Sequence, residues 1–265
     1  MTYKMVKVTS GGLTWFRFSD LPFANLCHGF FTRNGGVSPE PWKSLNLSES
    51  AGDSRSNVIQ NRKIIVNALK KTVESIYDVW QVHSTEVICV DQPRNLSAPH
   101  VKADGILTNN PEITLLMRFA DCVPILLHDP IRKVVGLVHA GWQGTVANIA
   151  GAAIYKMVDQ YGSDPKNIVA GIGPSIGPDH YQVGQEVFRR AEDHLKEIRN
   201  QVFIQVGDKL FFDLWGANTY LLKSAGVETI FQSGLCTACD LGNWFSHRYE
   251  NNKTGRFAAV IALGE

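Results

Sequence analysis

The chain of 265 residues predicts a single α+β domain. Short apolar runs bounded by turn residues recur from Leu13 to Leu263 at strand length, while separate stretches carry apolar residues at three- and four-residue spacing. No internal repeat and no linker divides the chain, so one domain over residues 1–265 is expected. With 44% hydrophobic and 19% charged residues, it is large enough to bury a substantial core.

Charge and composition exclude several classes of function. A formal net charge of +1 leaves no electrostatic footprint for nucleic acid or for an acidic membrane surface. The start, MTYKMVKVTSGG, lacks the apolar core of a signal peptide, and no apolar run approaches the roughly 20 residues needed to span a bilayer. A cytosolic protein is expected. The five cysteines are an odd count, read as buried small hydrophobes, ligands or nucleophiles rather than a disulfide framework.

The first predicted strand is 13–18, with Trp15, Phe16 and Phe18, closed by a polar break at Ser19-Asp20. The segment HGFFTRNGGVSPEPWKSLNLSES follows from His28 and reads as a long loop that keeps two Phe, a Trp and two Leu. Such a loop is expected to fold around a site. Arg33, Asn34 and Asn46 are its polar candidates, although Asn34-Gly35-Gly36 equally suits a turn beside a solvated Arg33. Asp53 or Ser54 caps a predicted helix to about Lys71, with Val58, Ile65, Val66 and Leu69 as its stripe. Arg62 falls on or beside the buried face, where it needs an anion, either a protein carboxylate or a ligand phosphate. Residues 76–90, IYDVWQVHSTEVICV, read as strand, break and strand, with His83 at the break. Asp104 lies between Ala103 and Gly105, which allow close approach of another segment.

The centre of the sequence is RFADCVPILLHDPIRKVVGLVHAGWQGT, residues 118–145. Two apolar runs, 124–127 and 134–138, flank a short Asp129-Pro130 turn, with Cys122 just before the first and His139 just after the second. Antiparallel pairing returns the two ends of a hairpin to one edge, so the thiol and the imidazole become neighbours. A helix is predicted from a Thr145 cap to Tyr161, stopped by Gly162. Then come a strand at 167–172 and the loop GIGPSIGPDHYQVG, read as a rigid turn rather than a phosphate cradle because it lacks both the P-loop ending and the dinucleotide spacing. A helix at 185–199, a strand at 202–206, a helix at 214–224, and strands at 228–232 and 257–263 complete the reading. Cys236-x-x-Cys239 alone is a weak signal for zinc or redox chemistry.

His83, Cys122 and His139 have the makeup of a catalytic zinc site, with three protein ligands and an open fourth position. Zinc there ionises the thiol and brings the pKa of a bound water to about 7, which suits hydrolysis or deamination. Asp121 orients a ligand imidazole, shuttles protons or makes a turn. The same trio supports a rival, Cys122 as nucleophile with His139 as base. A third reading is a purely structural site, closed in space by Cys236 or Cys239.

The motifs HGFFTRNGGVS, SLNL, Asn61-Arg62, QVHS, ADGILTN, ADCVPILLHDP, VHAGWQGT, GIGPSIGP, YQVG, CT, SHR and TGR together resemble the YfiH-like family, long labelled multicopper polyphenol oxidase and later purine nucleoside phosphorylase. They run from about residue 28 to the C-terminus. The resemblance implies an αββα-type mixed-sheet sandwich and zinc held by His83, Cys122 and His139. It implies phosphorolysis of adenosine, inosine or methylthioadenosine, and deamination of adenosine. Cys122, Asp121 and Arg62 are the expected catalytic residues, and Asn46, Arg62, Arg33 and Arg248 the expected substrate contacts. The expected partners are purine nucleosides and phosphate, for a monomer or weak homo-oligomer. Amide hydrolysis of peptidoglycan precursors is the family's alternative activity. A copper polyphenol oxidase is less favoured, because the eight histidines include no His-x-His pair. The chain departs from the family pattern at Gln143, where HAGWRG has Arg, at Gln182, and in a longer turn before TGR. Loss of that arginine bears on substrate preference more than on the metal site.

Overall fold

The computed structural model describes residues 5–19, 23, 26–95 and 97–264; Asp20 of the expected break lies outside them. In chain order come β1 (Met5–Ser10), β2 (Leu13–Phe18), β3 (Cys27–Phe31), α1 (Arg55–Ala68), β4 (Ile76–Tyr77), β5 (Val87–Cys89), β6 (Gly105–Thr108) and β7 (Thr114–Phe119). The hairpin β8 (Val123–Asp129) and β9 (Val134–Ala140) precedes α2 (Trp142–Val146), α3 (Ile149–Tyr161), β10 (Val169–Ile172) and β11 (Gln182–Val183). The remainder is α4 (Gln185–Arg190), α5 (Glu192–Leu195), α6 (Arg199–Val202), β12 (Phe203–Val206), β13 (Lys209–Phe212), α7 (Leu214–Ser224), β14 (Thr229–Gln232) and β15 (Phe257–Ala262).

The strands build two six-stranded mixed sheets, ordered β1-β2-β3-β15-β7-β4 and β14-β10-β8-β9-β6-β5, beside a small β11-β13-β12 sheet. Alternation along the strands decides the layering. Leu115, Met117 and Phe119 of β7 and Phe257, Ala259 and Ile261 of β15 share one core with Leu126, Val135 and Leu137 of the second sheet. The opposite face of β15, Ala258 and Val260, packs with Leu116 on Ile65 and Val66 of α1. The outer face of β8 and β9, including Val123, Ile125, Leu127, Val134 and Val138, packs on α3 and α7 through Ile149, Ile154, Met157, Leu214 and Leu221. Helix, sheet, sheet and helix therefore stack in that order, an αββα sandwich of α+β class, as the motifs imply.

Several elements differ from the sequence reading. The stretch read as a loop from His28 opens with β3, an inner strand of the first sheet, because Phe30 and Phe31 are both fully buried between neighbours. β1 escapes notice because it is a half-exposed edge strand. The helix expected from Thr145 to Tyr161 is two helices, broken at Asn148, which sits at φ 64° and caps α3 by accepting from Gly151 N. Gly162 ends α3 at φ 65°, a left-handed stop that glycine adopts without a Cβ penalty. The helix expected at 185–199 is fragmented into α4 and α5, and the β12-β13 hairpin extends what reads as one strand. Ser54 is the N-cap of α1, accepting from Asn57 N.

Candidate metal-centred active site

The open end of the β8-β9 hairpin organises the site. Pro124 pairs with His139, so Cys122, one residue before β8, lies against an imidazole inside the end of β9. His83 arrives from the segment after β4, held at φ 61°, and Asp121 turns the chain into Cys122 at φ 81°. Left-handed backbone is costly for residues with a Cβ and clusters where a site dictates geometry. The donor atoms of His83, Cys122 and His139 lie within 4.8 Å of one another, with Cys122 Sγ 3.9 Å from His83 Nε2. Ligand atoms around tetrahedral zinc are separated by roughly 3.3–3.8 Å, so this donor set fits one ion after a small contraction. Gly141 makes the approach feasible, since a Cβ there would stand 2.8 Å from His83 Cδ2 and 2.9 Å from Cys122 Sγ.

The carboxylate behind the trio is Asp104. It is buried, and its Oδ1 lies 2.8 Å from His139 Nδ1, which turns Nε2 toward the thiol. The same carboxylate accepts from the backbone N–H of Val82, His83 and Ser84 and from Ser84 Oγ, so one anion orients two ligand-bearing segments. Burial pushes the Asp104 carboxyl up, but its bonds with His139 and Ser84 prevail and hold it at about 2. Burial likewise opposes ionisation of Cys122, and the charge and hydrogen bonds of His139 and His83 overcome it, bringing the thiol down to about 6. Burial lowers His139, while the thiolate and Asp104 raise it to about 9.

Two lobes open on either side of the trio, sharing His83, Ala120, Cys122 and His247. One, of about 240 Å³, is cationic, with Arg118 and Arg256 facing Ser48 and Ser50 beside His247. The other, of about 390 Å³, is lined by Trp142, Tyr181, Ile176 and Leu214, with Arg248 stacked 4.9 Å from the Tyr181 ring centre. Burial and the neighbouring Arg256 lower the pKa of His247. Arg118 is clamped by Gln81, which accepts from its backbone N–H and donates to its carbonyl.

A family model described as multi-copper polyphenol oxidoreductase laccase matches residues 27–264. The chain belongs to this laccase-like, YfiH-like family. It is 34% identical over 247 residues to a purine nucleoside phosphorylase YlmD of Bacillus subtilis, covering 89% of this chain and 88% of that one. It is 35% identical over 256 residues to a purine nucleoside phosphorylase of Deinococcus radiodurans, covering 97% and 95%. The crystal structure of YlmD from Geobacillus stearothermophilus superposes with a TM-score of 0.93 at 33% identity, covering 99% of this chain and all of that one.

Against this YfiH-like frame, the residues expected from sequence divide into those that line the cavity and those that support it. His83, Cys122, His139 and Arg248 line it. Asp121 lines the aromatic lobe, yet its carboxylate accepts from Thr237 Oγ1 and Arg248 N, so the imidazole-orienting role falls to Asp104. Arg62 has a carboxylate as its anion: Nη2 donates to Asp78 Oδ2 at 2.7 Å, and Arg94 and His100 share that carboxylate. Arg33 binds Glu250 and the carbonyls of Lys43 and Leu241 beneath Phe245, bracing the loop that follows β3. Asn46 is buried and accepts from Arg256 N, which positions a lining residue without touching the cavity. Gln143 is exposed and lines neither lobe. Cys236 and Cys239 group with His180, and so do not close the trio. The backbone N–H groups of Gly173, Ser175, Ile176 and Gly177 are all spent on protein acceptors, which makes the GIGPSIGP loop a turn. Arg118, Arg256 and His247 went unassigned in the sequence; their motifs, RFADC, TGR and SHR, were visible, but their convergence was not.

Proposed function

We propose that the chain is a single catalytic unit that cleaves purine nucleosides with inorganic phosphate at a zinc centre held by His83, Cys122 and His139, copper being the less favoured occupant. The observation that carries this reading is the two-lobed cavity, cationic on one side of the trio and aromatic on the other. Bound there, the metal supplies Lewis acidity where the lobes meet. Arg118 and Arg256 neutralise and orient phosphate, and the Ser48 and Ser50 hydroxyls complete its hydrogen bonds. The faces of Trp142 and Tyr181 receive the planar base. A phosphate oxygen forms its bond to ribose C1′ as the C1′–N9 bond breaks. The electron pair leaves with the purine, which takes up a proton from solvent. Deamination of adenosine in the same cavity forms a bond from a water oxygen to C6 as the C6–N bond breaks, the amino group leaving as ammonia with a proton from that water, without phosphate. Purine nucleoside phosphorylase as the name of several relatives supports this reading over copper oxidation.

The test is an assay of metal-quantified protein with adenosine and inosine, with and without phosphate. Free base and ribose 1-phosphate are expected only with phosphate, and inosine from adenosine without it. Cys122→Ala is expected to lower turnover by roughly a hundredfold or more; wild-type turnover in that variant overturns the assignment. The Asp104–His139–Cys122 chain favours a second reading, in which the Cys122 thiolate attacks an amide carbonyl of a peptidoglycan precursor and His139 protonates the departing amine. That reading requires an acyl-thioester on Cys122 and activity that survives chelation.

A further inference from the structure

A second group of soft donors meets outside this site, where the turn after β14 packs on the loop after β10. The donor atoms of His180, Cys236 and Cys239 lie within 4.8 Å of one another. His180 Nδ1 is 3.8 Å from Cys236 Sγ and 3.7 Å from Cys239 Sγ, close to the roughly 3.6 Å that separates sulfur and nitrogen ligands on tetrahedral zinc. Two cysteines spaced Cys-x-x-Cys on a tight turn are the usual chelating half of such a site. Gly177 N donates to Cys236 Sγ at 3.1 Å, which fixes the sulfur against the loop that carries His180. Asp179 Oδ1 stands 2.9 Å from the same imidazole nitrogen, a hydrogen bond that gives way when Nδ1 ligates a metal.

We propose that His180, Cys236 and Cys239 form a second metal site, selective for zinc or a similarly soft divalent cation, with solvent in the fourth position. Its role is structural. Cys236 bridges to Ser175, Thr237 Oγ1 donates to Asp121 Oδ1 at 2.7 Å, and Ile176 N donates to Asp121 O at 3.0 Å. An ion joining these two loops therefore pins the wall of the aromatic lobe and the turn that delivers Cys122. Thiolate and imidazole donors select soft metals over magnesium or calcium.

The test counts zinc by mass spectrometry in the full chain after zinc loading and desalting. Two ions per chain are expected in the wild type, one each in Cys122→Ala and Cys239→Ala, and none in the double variant. Cobalt added to Cys122→Ala is expected to give a thiolate-to-metal absorption band that His180→Asn weakens, with circular dichroism confirming that each variant is folded. Zinc is also expected to raise the melting temperature of Cys122→Ala but not of the double variant. Zinc binding unchanged by Cys239→Ala overturns the proposal, as does an intact mass two hydrogens low that marks a Cys236–Cys239 disulfide under reducing conditions. If Cys122→Ala retains all of its zinc, the active-site reading fails, while Cys239→Ala still decides this one.

Discussion

Asp104 shows how much of the site depends on a residue that binds nothing in the cavity. Its carboxylate holds His139 through Nδ1 and the His83 backbone through an N–H, and so sets the distance between two of the three donors. Asp104→Asn keeps the size but leaves one acceptor oxygen and turns an NH₂ group toward donors. We expect it to weaken zinc binding by roughly 10–100-fold, read by competition with a chromogenic chelator. Unchanged affinity would sink the orienting role. The Cys122–His139 pair was legible, because apolar runs located the hairpin and the hairpin brought the two together, whereas His83 joins them from the separate segment after β4. The role of Asp104 was not, since only the folded loop at 82–84 spends its acceptors. Arg62 shows the same limit: its helical position demanded an anion, but the pattern cannot say that Asp78, sixteen residues on, is the one that arrives.

Elements read from periodicity held where one face packs on one layer and failed where the chain turns without losing its apolar stripe. α7 and β2 match their expected spans. The segment from Trp142 to Tyr161 keeps helical spacing across a break because Val146 of α2 and Ile149 and Ala150 of α3 enter the same core. The break rests on Asn148, whose left-handed backbone (φ 64°, ψ 47°) and side-chain bond to Gly151 N start a new helix behind the hairpin. Alanine there loses the cap and meets the left-handed penalty, so Asn148→Ala is expected to cost about 2 kcal/mol, whereas Asn148→Gly, which escapes that penalty, costs well under ~1 kcal/mol. Urea unfolding midpoints measure both. Equal losses would mean that packing, not the turn, sets the break. The β3 error has the opposite origin: its polar and glycine-rich continuation hid a strand whose two Phe face different cores.

At the scale of the whole molecule, the layer between the sheets carries a titratable group that limits stability in acid. His28 on β3 is 3% exposed beside Phe18 and Phe23; its Nε2 accepts from Phe18 N, and Nδ1 lies 3.2 Å from Leu26 O. Burial, outweighing that bond to Leu26, lowers its pKa from 6.5 to about 4. Above pH 6.5 the imidazole is neutral folded or unfolded and contributes no pH dependence. Below it the unfolded chain takes up a proton that the sandwich refuses, so stability falls until about pH 4, by roughly 3 kcal/mol in total. Asp78 behaves differently. Burial raises its carboxyl, but His100, Arg62 and Arg94 hold it far below the usual carboxylate range, so its contribution is present near neutrality and fades only below about pH 4. The acid limb should therefore have two stages. His28→Gln preserves an acceptor for Phe18 N and a donor for Leu26 O while removing the titration. Urea denaturation between pH 7 and pH 4 is expected to show the wild type losing roughly 3 kcal/mol more than this variant, and the two declining in parallel at lower pH. Curves already parallel between pH 7 and pH 4 would place the acid sensitivity elsewhere than in the layer that joins the two sheets.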